Sequence, residues 1–123
     1  MNMLQKAFNK AAGLIKKLET LQKKYPEFKP QVKTSRASIY ESNVKIETNI
    51  PLDPDDGRHG KMSVKVYHDG TIAVQYGIVR RNPDDITTSG RLTEVFQGFR
   101  ANKKAAAFIK EKAMKAGLIP AAR

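Results

Sequence analysis

The stretch FRANKKAAAFIKEKAMKAG, residues 99–117, sets Arg100, Lys103, Lys104, Lys110, Lys112 and Lys115 against one acid, Glu111. Cations at this density are suited to neutralising the phosphates of a polyanion and releasing its counterions. A solvated helix face usually mixes signs, so that residues four apart offset each other. The helix dipole favours cations near a C-terminus, which accounts for Lys112 and Lys115 but not for Arg100, Lys103 and Lys104. A second cationic series, Lys6, Lys10, Lys17 and Lys24, lies near the other end of the chain. At about 100° per residue these four fall along one row of a helix, with Lys16 and Lys23 on its far side. Lysines act as mobile point charges, whereas base readout leans on bidentate Arg, Asn or Gln. The chemistry expected is therefore a grip on phosphates that ignores sequence.

Net charge agrees. Twenty-three Lys and Arg against twelve Asp and Glu give +11 over 123 residues, a field attractive to polyanions. The excess sits at the two ends: residues 1–36 carry +7, residues 37–90 carry −2 and residues 91–123 carry +6. Charge serving solubility alone has no reason to segregate in this way. The chain has no cysteine, which removes disulfides, thiol catalysis and thiolate zinc sites and fits a reducing, cytoplasmic compartment. The start MNMLQKAFNK has no apolar run of a signal peptide, and no stretch is apolar enough to cross a membrane.

Candidates for other chemistry are weak. Asp53, Asp55, Asp56 and His59 in LDPDDGRHG, and Asp84 and Asp85 in NPDDI, offer oxygen and nitrogen ligands. Their spacing is not that of an EF-hand, and Asp beside Pro and Gly is ordinary turn composition. The Pro-Asp pairs bring metal-dependent nucleases to mind, but no downstream acid followed two positions later by Lys completes that set. No Gly-rich phosphate loop or nucleophile motif is present. Neither a catalytic residue nor a metal site nor a cofactor is expected.

The cationic rows need rigid elements to carry them. Leu4, Ala7, Phe8, Ala11, Leu14, Ile15, Leu18 and Leu21 form an apolar stripe at spacings of three and four, which predicts a basic amphipathic helix over 1–25, stopped by Pro26. At the other end Leu92, Val95, Phe96 and Phe99, then Ala101, Ala105, Ala106, Phe108, Ile109, Ala113 and Ala116, predict a basic helical segment over 89–117. It would be capped by Thr88 or Ser89, kinked near Gly98–Asn102, recapped by Asn102 and ended by Gly117. Lys112 falls inside the apolar arc and is expected to snorkel out of it. Residues 118–123 are a tail.

Between them, Val44, Ile46, Thr48 and Ile50 alternate with polar residues, and KMSVKVYHDGTIAVQYGIVRRN reads as a hairpin within an antiparallel sheet over 32–82. A two-residue Asp69-Gly70 loop would split the apolar set between the two faces. A three-residue loop, His68-Asp69-Gly70, pairs Tyr67 with Thr71, Val66 with Ile72 and Val64 with Val74. Burial fixes register, so the expectation is a type I turn with Gly70 left-handed in a G1 bulge. Ser63, Lys65, Tyr67, Ala73, Gln75, Gly77 and Val79 would then face outward. Tyr67 beside Lys65 is placed to stack a base, and the small Ala73 and Gly77 hint at a packed neighbour such as a second copy of the chain. Arg80 and Arg81 would extend a basic edge.

The fold expected is one α+β domain: an N-terminal helix, three or four antiparallel strands and a C-terminal helix, both helices on one sheet face. That order is similar to the order in double-stranded-RNA-binding domains, and ANKKAAAFIKEKAM, about fifteen residues, resembles their basic final helix. The aromatic and glycine landmarks between the strands of that family are not evident in this chain. The function expected is non-enzymatic, largely sequence-independent binding of DNA or RNA, with Arg100, Lys103, Lys104, Lys110 and Lys115 in one row and Lys6, Lys10, Lys17 and Lys24 in the other. The alternative is an adaptor or inhibitor whose basic face docks an acidic partner protein, with a homodimer as one form of it.

Overall fold

Proline and glycine mark most of the boundaries. In the computed structural model, which describes residues 3–38, 41–53, 60–79 and 90–120, helix α1 (Met3–Lys24) ends two residues before Pro26. It is followed by β1 (Gln31–Ser38), β2 (Glu41–Pro51), β3 (Lys61–Tyr67), β4 (Ile72–Val79), β5 (Gly90–Phe96) and α2 (Ala101–Lys115). The strands form one antiparallel sheet in sequence order. Helix α1 packs on β2 and β3, α2 packs on β4 and β5, and the helices touch each other. The class is α+β with both helices on one face, and the sheet has five strands instead of three or four.

The additional strand is the principal correction. Residues 90–96 do not open a kinked helix; they form β5 and close the edge of β4. Leu92, Val95, Phe96 and Phe99 imitate a helical stripe, and Glu94 interrupts the alternation that would have marked a strand. Pairing with the open edge of β4 gives the segment a partner strand, which local periodicity cannot foresee. Gly98 and Arg100, with φ of 75° and 63°, then turn the chain into α2. Arg100 precedes α2 without any side-chain capping bond, and Asn102 lies inside the helix. Thr88 and Ser89 lie outside the described residues.

The hairpin has the register that burial demands. Val66 pairs with Ile72 and Val64 with Val74. The Tyr67 N–H donates to the Thr71 carbonyl (2.9 Å) and the Gly70 N–H to the Tyr67 carbonyl (3.0 Å), with Gly70 at φ 89°. Further along β4 the pairing slips: Gln75 faces Thr93, but Gly77 faces Leu92. The extra residue, Tyr76, makes a bulge that turns both Tyr76 and Gly77 to the helix side. Gly77 is therefore buried rather than outward. Its smallness serves Leu92, whose Cδ1 would lie 3.3 Å from a β-carbon placed there.

Aligned rows build the core. Val44, Val66 and Ile72 lie side by side across β2, β3 and β4, as do Ile46, Val64 and Val74. Ala7, Ala11, Leu14 and Leu18 of α1 and Ala101, Ala105, Ile109 and Ala113 of α2 cover them. Phe28, in the link from α1 to β1, is fully buried. Asn49 fastens that link to β2: its Oδ1 accepts from the Lys29 N–H (2.9 Å) and its Nδ2 donates to the Glu27 carbonyl (2.7 Å). Where β2 slips against β3 between Glu47 and Pro51, the Thr48 hydroxyl donates to the Met62 carbonyl (3.0 Å) and accepts from the Ile50 N–H (3.2 Å).

The end of α2 agrees with the sequence. Gly117 has φ 77°, its N–H donates to the Met114 carbonyl (3.1 Å), and the Leu118 N–H reaches the Ala113 carbonyl (3.0 Å), which is a Schellman motif. Only glycine occupies that conformation without strain. Gly117→Ala should cost about 1 kcal/mol in urea unfolding, and an unchanged midpoint would contradict the motif.

Candidate functional site

Five antiparallel strands between two helices return the chain to its starting direction, so α1 and α2 lie parallel. They approach closely at Gly13, where an added β-carbon would come within 2.8 Å of the Asn102 amide nitrogen. From there the helices open into a groove of about 630 Å³ lined by Gly13, Lys16, Lys17, Thr20, Leu21, Ala106, Ala107 and Lys110. Small and apolar residues form the floor. Three lysines form the rims, and no carboxylate among the described residues lines it.

Of the α1 cations, Lys6, Lys10, Lys17 and Lys24 are all exposed. They fall within about 40° of one another around the helix, on the flank that carries Gly13 and so meets α2. Lys10 also leans over the hairpin turn, its Cδ 3.5 Å from where a Gly70 β-carbon would be. It shares a cleft of about 380 Å³ with Asp69, Arg100 and Asn102. Lys24 sits 5.4 Å over the ring of Tyr25.

The α2 cations do not make a single row. Lys103 and Lys110 share the flank towards α1, whereas Lys104 and Lys115 lie about 100° round the helix. Lys115 is paired with Glu111 at 3.2 Å. With Lys112 it borders a separate cavity of about 570 Å³ lined by Leu52, Asp53, Tyr76 and Leu92 among others. Lys112 is half-buried, its Nζ lying 5.0 Å over the Tyr76 ring and 5.2 Å over the Phe108 ring. The structure thus gathers Lys10, Lys17, Lys103, Lys110 and Arg100 on one side, with Lys6 and Lys24 extending the α1 row.

Lys65 and Tyr67 belong elsewhere. They alternate with the core residues Val64 and Val66 and so occupy the opposite, helix-free face of the sheet. There Lys33, Lys45 and Lys65 align across β1, β2 and β3. Like charges opposed in a sheet are unfavourable, and Glu47 offsets two of them, bonding Lys33 at 2.7 Å and Lys45 at 3.3 Å. Arg91 donates to Gln75 Oε1 at 3.1 Å on the same face. The open face is therefore partly neutralised, unlike the groove. Asn43 is buried there beside Tyr67 with no partner for its Oδ1 among the described residues.

Hydrogen bonds from Lys33, then Lys45, hold the Glu47 carboxyl below its ordinary range. A depressed native pKa stabilises the fold above the unfolded carboxyl's pKa of about 4 and is lost as pH falls through the native value. The gap in Tm between wild type and Glu47→Gln should therefore narrow as pH drops from about 6 to about 2. A gap that persists unchanged at the acid end would reject the assignment.

Arg80, Arg81, Asp55, Asp56, His59, Asp84 and Asp85 lie outside the described residues. Among the described residues, no group of three or more acids and histidines is placed to hold a metal ion, and no helix is long and apolar enough to cross a membrane. Two surface features escape the sequence. Periodicity puts Lys16 on the far side of α1, yet it lines the groove, because the parallel partner helix approaches that flank. Periodicity also puts Phe99 on an apolar stripe, yet it is 82% exposed. The glycine before it is the available signal. Comparison with protein-family models, curated proteins and solved structures finds no match to this chain.

Proposed function

We propose that the protein binds nucleic acid without sequence preference, gripping phosphates with the surface shared by α1 and α2. The observation that carries this reading is the groove whose rims are Lys16, Lys17 and Lys110 and whose lining, among the described residues, holds no carboxylate. Lys10, Lys103 and Arg100 continue it toward the α2 N-terminus. The floor of Gly, Ala and Leu has no side-chain donors and the Thr20 hydroxyl is spent on the Lys16 carbonyl (2.9 Å), which leaves little to read base edges and favours contact with the backbone. No covalent step is needed, and the reading is of a binder rather than an enzyme.

If about five phosphates are neutralised, log Kd should change with log salt at a slope of magnitude near 4. Fluorescence anisotropy with labelled DNA and RNA, titrated in salt, measures it. A flat response, or no binding at low salt, would remove the proposal. The apolar floor also favours a second occupant, an acidic amphipathic helix laid between the lysine rims. That alternative predicts negligible affinity for random oligonucleotides.

A further inference from the structure

Phe99 is the most exposed large apolar residue among the described residues, at 82%. It stands at the corner between β5 and α2, between Gly98 (φ 75°) and Arg100 (φ 63°). Arg100 is the one described non-glycine residue in that region, a conformation that L-residues adopt at a cost and that recurs at ligand sites. Its guanidinium carbon lies 5.1 Å over the Phe99 ring. The stack serves no packing purpose, since Phe99 is outside the core cluster, and Arg100 caps α2 through its backbone carbonyl alone, which accepts from the Lys104 N–H (2.9 Å) and leaves the guanidinium out of the cap.

One face of the ring is covered by Arg100, and the remainder faces solvent. Exposed cations lie close to it along the chain and beside Arg100. Lys103 and Lys104 follow one turn later, and Lys10 of α1 borders the cleft that Arg100 also lines. The one carboxylate of that cleft, Asp69, is turned to its own hairpin, accepting from the Thr71 N–H at 2.9 Å.

We propose that Phe99, backed by Arg100, is a stacking platform for an unpaired nucleobase, with the adjoining phosphates on Lys103 and Lys104. The inference rests on the phosphate-binding reading above and deepens it by naming single-stranded nucleic acid as the class that gains from the platform. Aromatic stacking is tolerant of base identity, because every base has a π-face, and a neighbouring guanidinium adds a cation–π contribution. A base within a duplex already has both faces stacked and gains nothing there.

The chain contains no tryptophan, so Phe99→Trp supplies a single reporter at the position in question. The probes are an oligothymidylate of about twelve nucleotides and an abasic oligomer of the same length, which has the phosphates without the bases. The expected result is that the oligothymidylate quenches the indole fluorescence of the Phe99→Trp variant and the abasic oligomer does not. Phe99→Ala, at an exposed position that leaves folding untouched, should weaken oligothymidylate binding by about fivefold or more and leave abasic binding unchanged. Equal oligothymidylate affinity of wild type and Phe99→Ala, or unaltered fluorescence at saturation, overturns the platform while the charged groove stands. Failure of the wild type to bind either oligomer overturns both.

Discussion

Replacing Lys17 and Lys110 together by Glu should lower affinity for a duplex of about 20 base pairs by tenfold or more near 0.1 M salt. The salt slope should fall by about 2, since each lost phosphate contact removes about 0.9. These two lysines come from different helices and line the same groove. The substitution swings four units of charge in that groove without touching the core, because both side chains are exposed. Lys65→Glu is the control. It changes charge by two units on the opposite face of the sheet and should leave the slope unchanged. Should Lys65→Glu weaken binding as much as the groove variant, attraction would be a matter of net charge, and the groove would have no special role.

Phe28→Ala should destabilise the protein by about 3–5 kcal/mol, read from urea unfolding at constant m-value. Phe28 is the largest fully buried side chain among those described, and it lies in a link rather than in a helix or strand. Asn49 anchors the residues on either side of it, bonding Glu27 and Lys29, so the link has little freedom to collapse into the space vacated. Domains of this size hold only about 5–15 kcal/mol in total, and a loss of that size brings unfolding close to ambient temperature. A cost under about 1 kcal/mol would mean that Phe28 does not fill the core.

Several features are legible in the sequence because local rules suffice for them. The apolar stripe of α1 fixes which flank is buried, and Pro26 fixes where it ends. Parity in the β3–β4 hairpin admits one loop length that keeps Val64, Val66, Ile72 and Val74 on one face, and the observed pairing has it. Gly117 ends α2 because the chain needs a left-handed residue there. The segregation of positive charge to the two ends is also a property of the sequence alone.

What the sequence leaves open depends on partners distant along the chain. Residues 90–96 carry only a helical spacing of apolar residues, and the open edge of β4 overrides it in favour of a strand. A fifth strand after four reverses the direction in which the chain enters α2, making the helices parallel and bringing Lys17 and Lys110 to one groove. It also places Phe99 at a corner instead of on a buried stripe. A helix's own sequence determines the angles among its side chains, and hence the rows of lysines. Which flank meets another element, and which cations share a surface, follows only from the number and order of strands between, because each antiparallel strand reverses the chain.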